Sequence, residues 1–176
     1  EKLHQVVFHT QLGTSYEKVM QYRKLAEYIT DQINPSLKER VDRAAVLAKA
    51  DLETLMVYEF AELQGIMGRE YALIAGENPV VAKAIYEHYL PTAAGGELPE
   101  TDEGAIVSIA DKVDTIVGFF GVNLIPTGTA DPYALRRQAI GIINIILNKK
   151  YSLNLGGLIR SEEHTLNSSH ANISYA

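Results

Sequence analysis

Three residues could together hold a metal. Asp51, His88 and Asp111 are carboxylates and an imidazole on separate predicted helices. Such groups can converge on a divalent ion, which lowers the pKa of a bound water and neutralises charge on a phosphoryl group. The set is thin, because His88 is the sole histidine between His9 and the C-terminal region, and Lys49 lies two residues before Asp51. An ammonium there repels a cation, so the pattern describes a degenerate site. The alternative is structural. His88 falls at a helix end, where a cation suits the dipole. Asp111 and Asp114, three apart on one helical face, suit a Lys or Arg from a neighbouring element.

Arg136 and Arg137 form the second candidate. Adjacent helical residues point about 100° apart, so the two serve different surfaces. One is expected to make a bidentate pair with Asp111 or Asp114. The other is left for phosphate, which the guanidinium fork suits. Lys49 and Arg69 join them as candidates for contact with RNA or a partner. Lys38, Arg40 and Arg43 span little more than one turn and read as a solvated face. No G-x-x-x-x-G-K-[ST] or strand-linked G-x-G-x-x-G occurs. Gly65 and Gly68 are a weak phosphate signal, and Ser108 has no nearby histidine to activate it.

The elements that must position these groups are helical. Thr14 and Glu17 form a capping box, and the helix after it runs to about Gln32 with Val19, Ala26, Ile29 and Ile33 on one face. Asn34-Pro35 starts a second helix, whose stripe of Leu37, Val41, Ala44, Ala45, Ala48, Leu52 and Leu55 predicts more than five turns. Gly65 and Gly68 fall in the next helix, which ends near Gly76. Asn78-Pro79 opens another with Ala82, Ile85 and Tyr89 inward, stopped by Pro91. Thr101 caps a helix with Asp102 and Glu103 in its first turn and Ile106, Ile109, Val113, Ile116, Val117 and Phe120 as its stripe. Asp131-Pro132 is expected to open the last long helix. Leu3 to Phe8 reads as a short strand or an extended lead-in. The class is all-α.

Composition sets outer bounds. The 176 residues suffice for one domain, and the absence of cysteine excludes disulfides and thiolate metal sites. The longest apolar run, Ala139 to Leu147, is far short of the roughly 20 residues of a membrane helix, so no membrane association is expected. The net charge of −6 leaves any nucleic-acid contact to a local basic patch. A start without methionine reads as a fragment of a longer protein. From Arg160 the residues Arg160-Ser-Glu-Glu-His-Thr-Leu-Asn-Ser-Ser-His170 lose all periodicity, and 160–176 reads as a non-native, disordered tail.

Four ordered motifs carry a family likeness: Lys49 to Gly68, with Leu55-Met-Val-Tyr-Glu-Phe60 at its centre; Glu87-His-Tyr-Leu-Pro91; Ala110-Asp-Lys-Val-Asp114; and Pro126-Thr-Gly-Thr-Ala-Asp-Pro-Tyr-Ala-Leu-Arg-Arg137. From about Phe8 to Ile159 the chain resembles the β subunit of bacterial two-subunit glycyl-tRNA synthetase. Ala61, Glu70 and Gly96 depart from the family's usual Pro, aromatic and acidic residues. The likeness implies an HD-like orthogonal bundle of several helices over 13–159, with 1–12 leading in from a preceding domain. Asp51 then stands where the His-Asp pair of an HD-type phosphohydrolase would end, and Asp111 at its last Asp. It also implies a cytoplasmic protein that supports tRNA-Gly recognition. Glycylation takes place with an α subunit that holds ATP, Mg and glycine, so this segment holds no cofactor and no catalytic residue. The alternatives are a metal-dependent HD-type phosphohydrolase and a purely structural interaction module.

Overall fold

The computed structural model describes residues 2–4 and 6–162. It is an all-α bundle with one short hairpin. A 3-10 turn (Lys2–His4) precedes β1 (Val7–His9), which pairs antiparallel with β2 (Gly13–Thr14). The helices are α1 (Ser15–Ile33), α2 (Lys38–Leu47), α3 (Leu55–Glu59), α4 (Ile66–Ile74), α5 (Pro79–Glu87), α6 (Asp102–Gly121) and α7 (Leu135–Lys149). A further helix, α8, covers 155–162.

Helix α6 is the axis of the bundle. Almost every residue from Glu103 to Phe119 is buried, including Asp111, Lys112 and Asp114. Helices α1, α2, α5 and α7 pack around it. The core joins Tyr22, Leu25 and Ile29 of α1 to Val41 and Ala45 of α2, Ile85 of α5, Ile106 and Ile109 of α6 and Ile145 of α7. The starts follow local chemistry. Thr14 accepts from the Glu17 amide while Glu17 accepts from the Thr14 amide at 2.7 Å. Asn78 caps α5, Thr101 caps α6, and Gly76 closes α4 at φ +82°.

Four expectations are corrected. The long second helix breaks after Leu47 into a 3-10 turn (Ala50–Glu53) and the short α3. Thr54 is extended and accepts from the Val57 amide, so it caps a new start and leaves Leu55 82% exposed. Gly65 is the left-handed cap of α4, at φ +79°, and lies outside the helix. The last helix begins at Leu135, four residues after Asp131. Ala134 is left-handed, and the Asp131 carboxylate accepts from the Leu135 and Arg136 amides at 2.8 and 3.0 Å. Phe119 fills the core place expected for Phe120, which is exposed.

The ordered body continues past residue 159. Helix α8 reaches 162, and Glu162 is buried with its carboxyl bonded to Asp114. The remainder of the expected tail, 163–176, with His164 and His170, lies outside the described residues. Among those described, no helix is long and apolar enough to cross a membrane.

Candidate functional site

The expected trio is not arranged as a ligand set among the described residues, and each member has another partner, although Asp51 Oδ1 and His88 Nε2 are buried without one. Asp111 is straddled by two ammoniums, with Lys18 Nζ 3.0 Å from Oδ1 and Lys49 Nζ 2.9 Å from Oδ2. Lys18 also reaches Asp114 at 2.5 Å and donates to Thr115 Oγ1 at 2.6 Å. Asp51 faces the start of α4, where its Oδ2 accepts from the Gly65 amide at 2.6 Å. Gly68 is small for the same reason. A Cβ there would stand 2.8 Å from Ile85 Cγ2 and 3.1 Å from the Asp51 carboxylate. His88 is fully buried with Nδ1 2.5 Å from the Ile85 carbonyl, so Nδ1 donates and Nε2 carries the lone pair.

The charge states follow from burial and neighbours. Burial works against the Asp111 carboxylate, but Lys18 and Lys49 overcome it and hold the group well below the usual carboxylate range. Lys18 loses from burial and gains more from Asp111 and Asp114, so its pKa rises. Lys49 has one carboxylate partner, and burial outweighs it, lowering the pKa. Burial, helped by Lys49, pushes His88 well below its ordinary value, so the ring is neutral. Burial raises Asp51 against the opposing Gly65 amide, and it drives Glu162 up to about 8. Lys112 falls to about 7 through burial. Its ammonium donates to Ser108 Oγ at 2.7 Å, the Leu90 carbonyl at 2.9 Å and the His88 carbonyl at 3.2 Å.

Among the described residues, no three His, Asp or Glu side chains are arranged to hold a metal ion. The donor chemistry agrees: the Asp111 oxygens face ammoniums, and Asp51 serves a helix end. The residues do not fit a divalent ion.

What the fold does assemble is a cleft of about 420 Å³ beside α6. Lys18, Lys49, Lys112 and Arg137 line it with Asp111, and Phe119 and Tyr133 stack at 4.1 Å on one wall. Lys49 lies over the Tyr89 ring at 4.2 Å. Of the two candidate arginines, Arg137 lines the cleft and Arg136 does not. Both are exposed. The expected bidentate pair with Asp111 or Asp114 is absent, because Lys18 and Lys49 hold those carboxylates. Arg69 is engaged locally, 2.8 Å from Glu70 and over the Tyr86 ring. Lys49 is buried and lines the cleft. Lys38, Arg40 and Arg43 are exposed, as expected of a solvated face, and each carries an ion pair, with Glu27, Glu103 and Glu77 respectively.

Sequence reasoning missed Lys18 and the role of Lys112. The signal for Lys18 was available, since positions 18, 22, 25 and 29 recur at helical spacing on the face that carries Tyr22, Leu25 and Ile29.

Fold and site define a helical module built around a buried ion network. The chain belongs to the glycyl-tRNA synthetase beta subunit family, whose model matches residues 1–174. The glycine–tRNA ligase beta subunit of Syntrophus aciditrophicus is 75% identical over 159 residues, covering 90% of this chain and 23% of that protein. The corresponding subunits of Geobacter metallireducens and Syntrophotalea carbinolica are 64% and 63% identical, over 88% and 90% of this chain and 23% of each relative. The chain thus spans about a quarter of the length of the relatives it matches.

Proposed function

We propose that this chain is the helical segment of the beta subunit of a two-subunit glycine–tRNA ligase. It supports tRNA-Gly recognition and the docking of an alpha subunit, while ATP, Mg and glycine are handled on that partner in the cytoplasm. The observation that carries this is the family match over residues 1–174, reinforced by 75% identity to a beta subunit. The site chemistry is compatible with such a role, because Asp111 and Asp114, which could have held a metal, are paired with Lys18 and Lys49. The candidates for RNA or interface contact are Arg136 and Arg137, with Lys49 and Arg69 constrained by the pairings above. The metal-dependent phosphohydrolase is disfavoured by the two ammoniums on Asp111.

The test is tRNA-Gly binding by the full-length subunit carrying Arg136→Ala or Arg137→Ala. Each lost phosphate contact should weaken binding and lower the salt slope by about one. Unchanged affinity and slope remove that arginine from the interface. A lower melting temperature with unchanged affinity favours a purely structural role.

A further inference from the structure

Helix α7 is apolar on two sides. Leu135, Ile142 and Ile145 face the core, and Gly141 lets the Pro91 ring approach. The other side carries Ile140, Ile143 and Leu147, which are 53%, 48% and 70% exposed. A surface helix is ordinarily polar on the side away from its core, and a helix that is apolar all round is one that is covered all round. The outer residues also form a line. Arg136, Ile140, Ile143, Leu147 and Lys150 follow at alternating steps of four and three, the spacing that holds a seam against a facing helix. The line is about 21 Å long, roughly four turns. Both of its ends are cationic: Arg136 and Lys150 are exposed and form no ion pair among the described residues.

Charge decides what can lie there. A second copy laid antiparallel would set Arg136 against Lys150 of the other copy, and a parallel one would set like against like, so cations repel either way. RNA phosphates would suit the two ends and leave the three apolar side chains between them in water. The surface that fits is a helix with an apolar stripe and a carboxylate at each end. The relatives carry about three quarters of their length outside this segment. Polypeptide tethered to the segment meets it at high effective concentration, ahead of any separate molecule.

We propose that the outer face of α7 docks an amphipathic helix from the part of the same subunit that lies outside this segment. Its apolar stripe covers Ile140, Ile143 and Leu147, and its carboxylates pair with Arg136 and Lys150. Arg136 is then a protein-interface residue, while Arg137, about 100° around the helix and beside the cleft, stays outside the seam. The inference rests on the reading of this chain as a segment of a longer beta subunit, and not on tRNA binding.

The test is thiol labelling of the full-length subunit, without alpha subunit or RNA. Residues 1–176 contain no cysteine, so Ile143→Cys adds one thiol to this segment, and its peptide reports the reaction with iodoacetamide by mass spectrometry. Lys24→Cys, exposed on α1, is the reference. Ile143→Cys is expected to react about tenfold more slowly than Lys24→Cys, as a site does that reacts only after local opening. Combining it with Arg136→Glu and Lys150→Glu should bring the two rates together, because carboxylates then face carboxylates. Equal rates in the subunit alone overturn the proposal. So does protection that arises only on adding the alpha subunit or tRNA-Gly, or that fades on dilution, since the occupant is then that subunit, RNA or a second copy. Protection that survives the double charge reversal overturns the acidic ends. Should Ile143→Cys fail to fold, Ile140→Cys carries the same expectation. Equal rates with tRNA-Gly bound as before sink this inference and leave the functional reading; retained protection without tRNA-Gly binding does the reverse.

Discussion

Lys18 Nζ lies 2.5 Å from Asp114 Oδ2, with both side chains about 95% buried, and so ties α1 to α6 across 96 residues of sequence. The same ammonium stands 3.0 Å from Asp111. Removing it leaves two carboxylates on adjacent turns of one buried helix with a single lysine, Lys49, between them and solvent. Lys18→Met is therefore expected to destabilise the fold by roughly 3–5 kcal/mol, the usual cost of orphaning a buried charge. Adding Asp114→Asn should restore part of that loss, because one of the stranded charges is gone. Urea unfolding of the single and double variants checks it. Equal stability of Lys18→Met and the parent would mean that the network is idle.

The glycines in α4 and at its two ends should respond according to what surrounds them. Gly68→Ala gains up to about 1 kcal/mol in helix propensity. It also drives a methyl to 2.8 Å from Ile85 Cγ2, and overpacking a well-filled core costs about 1–3 kcal/mol. The net effect is a loss. At Gly76 nothing lies within 4 Å of the added carbon, but φ is +82°. Gly76→Ala should cost about 1–2 kcal/mol, from left-handed strain alone. Gly65→Ala combines both burdens, since φ is +79° and a Cβ would stand 2.6 Å from the Tyr89 ring. It should be the most damaging of the three in thermal denaturation.

Helix existence was legible because the signals are local. The capping box at Thr14, the Asn78-Pro79 start and the Thr101 cap all appear where their chemistry placed them. The break after Leu47 was hidden because the apolar stripe carries on through Leu52 and Leu55. Just past the break Asp51 serves the Gly65 amide, fourteen residues on, a contact that no local signal announces. The candidate site was half visible for the same reason. Asp111 and Asp114 announced a need for cations, and sequence offered Arg136 and Arg137 as suppliers. Which cation reaches a buried carboxylate depends on how helices are laid side by side, and α1 lies against α6 with Lys18 directed inward. A lysine within an apolar stripe is the one local sign of that arrangement.

Lys112 gives the fold a pH dependence of defined sign. Its folded pKa is lowered to about 7 from 10.5, chiefly by burial. Between those values the unfolded chain holds a proton that the folded chain has released, so stability rises with pH across that interval. The full penalty applies below the folded value. Glu162 runs the other way, its pKa raised by burial to about 8, so its contribution is lost as pH climbs to that point. Lys112→Met keeps the length of the side chain and removes its titration. The difference in unfolding free energy between variant and parent should shrink steadily from about pH 7 to about pH 9, with Glu162 cancelling because both proteins carry it. A difference that stays flat over that range would contradict an ammonium deprived of its counter-charge.

Asp51 separates a structural carboxylate from a catalytic one. In the fold its Oδ2 satisfies the Gly65 amide at the start of α4, and burial raises its pKa. Loss of such a cap costs about 1–2 kcal/mol, and Asp51→Ala should show that loss in thermal unfolding. A carboxylate that held a metal would behave differently. Manganese would raise the melting temperature of the parent, with a stabilisation that grows as RT ln(1 + c/Kd), where c is the free Mn²⁺ concentration, and Asp51→Ala would abolish the rise. The expected outcome is a variant destabilised by the same amount with and without millimolar Mn²⁺, and a parent whose melting temperature the ion does not move. A manganese-dependent shift that disappears with Asp51 would mean that the ammoniums of Lys18 and Lys49 give way to a cation. The ion network at Asp111 would then be one of two states of the site.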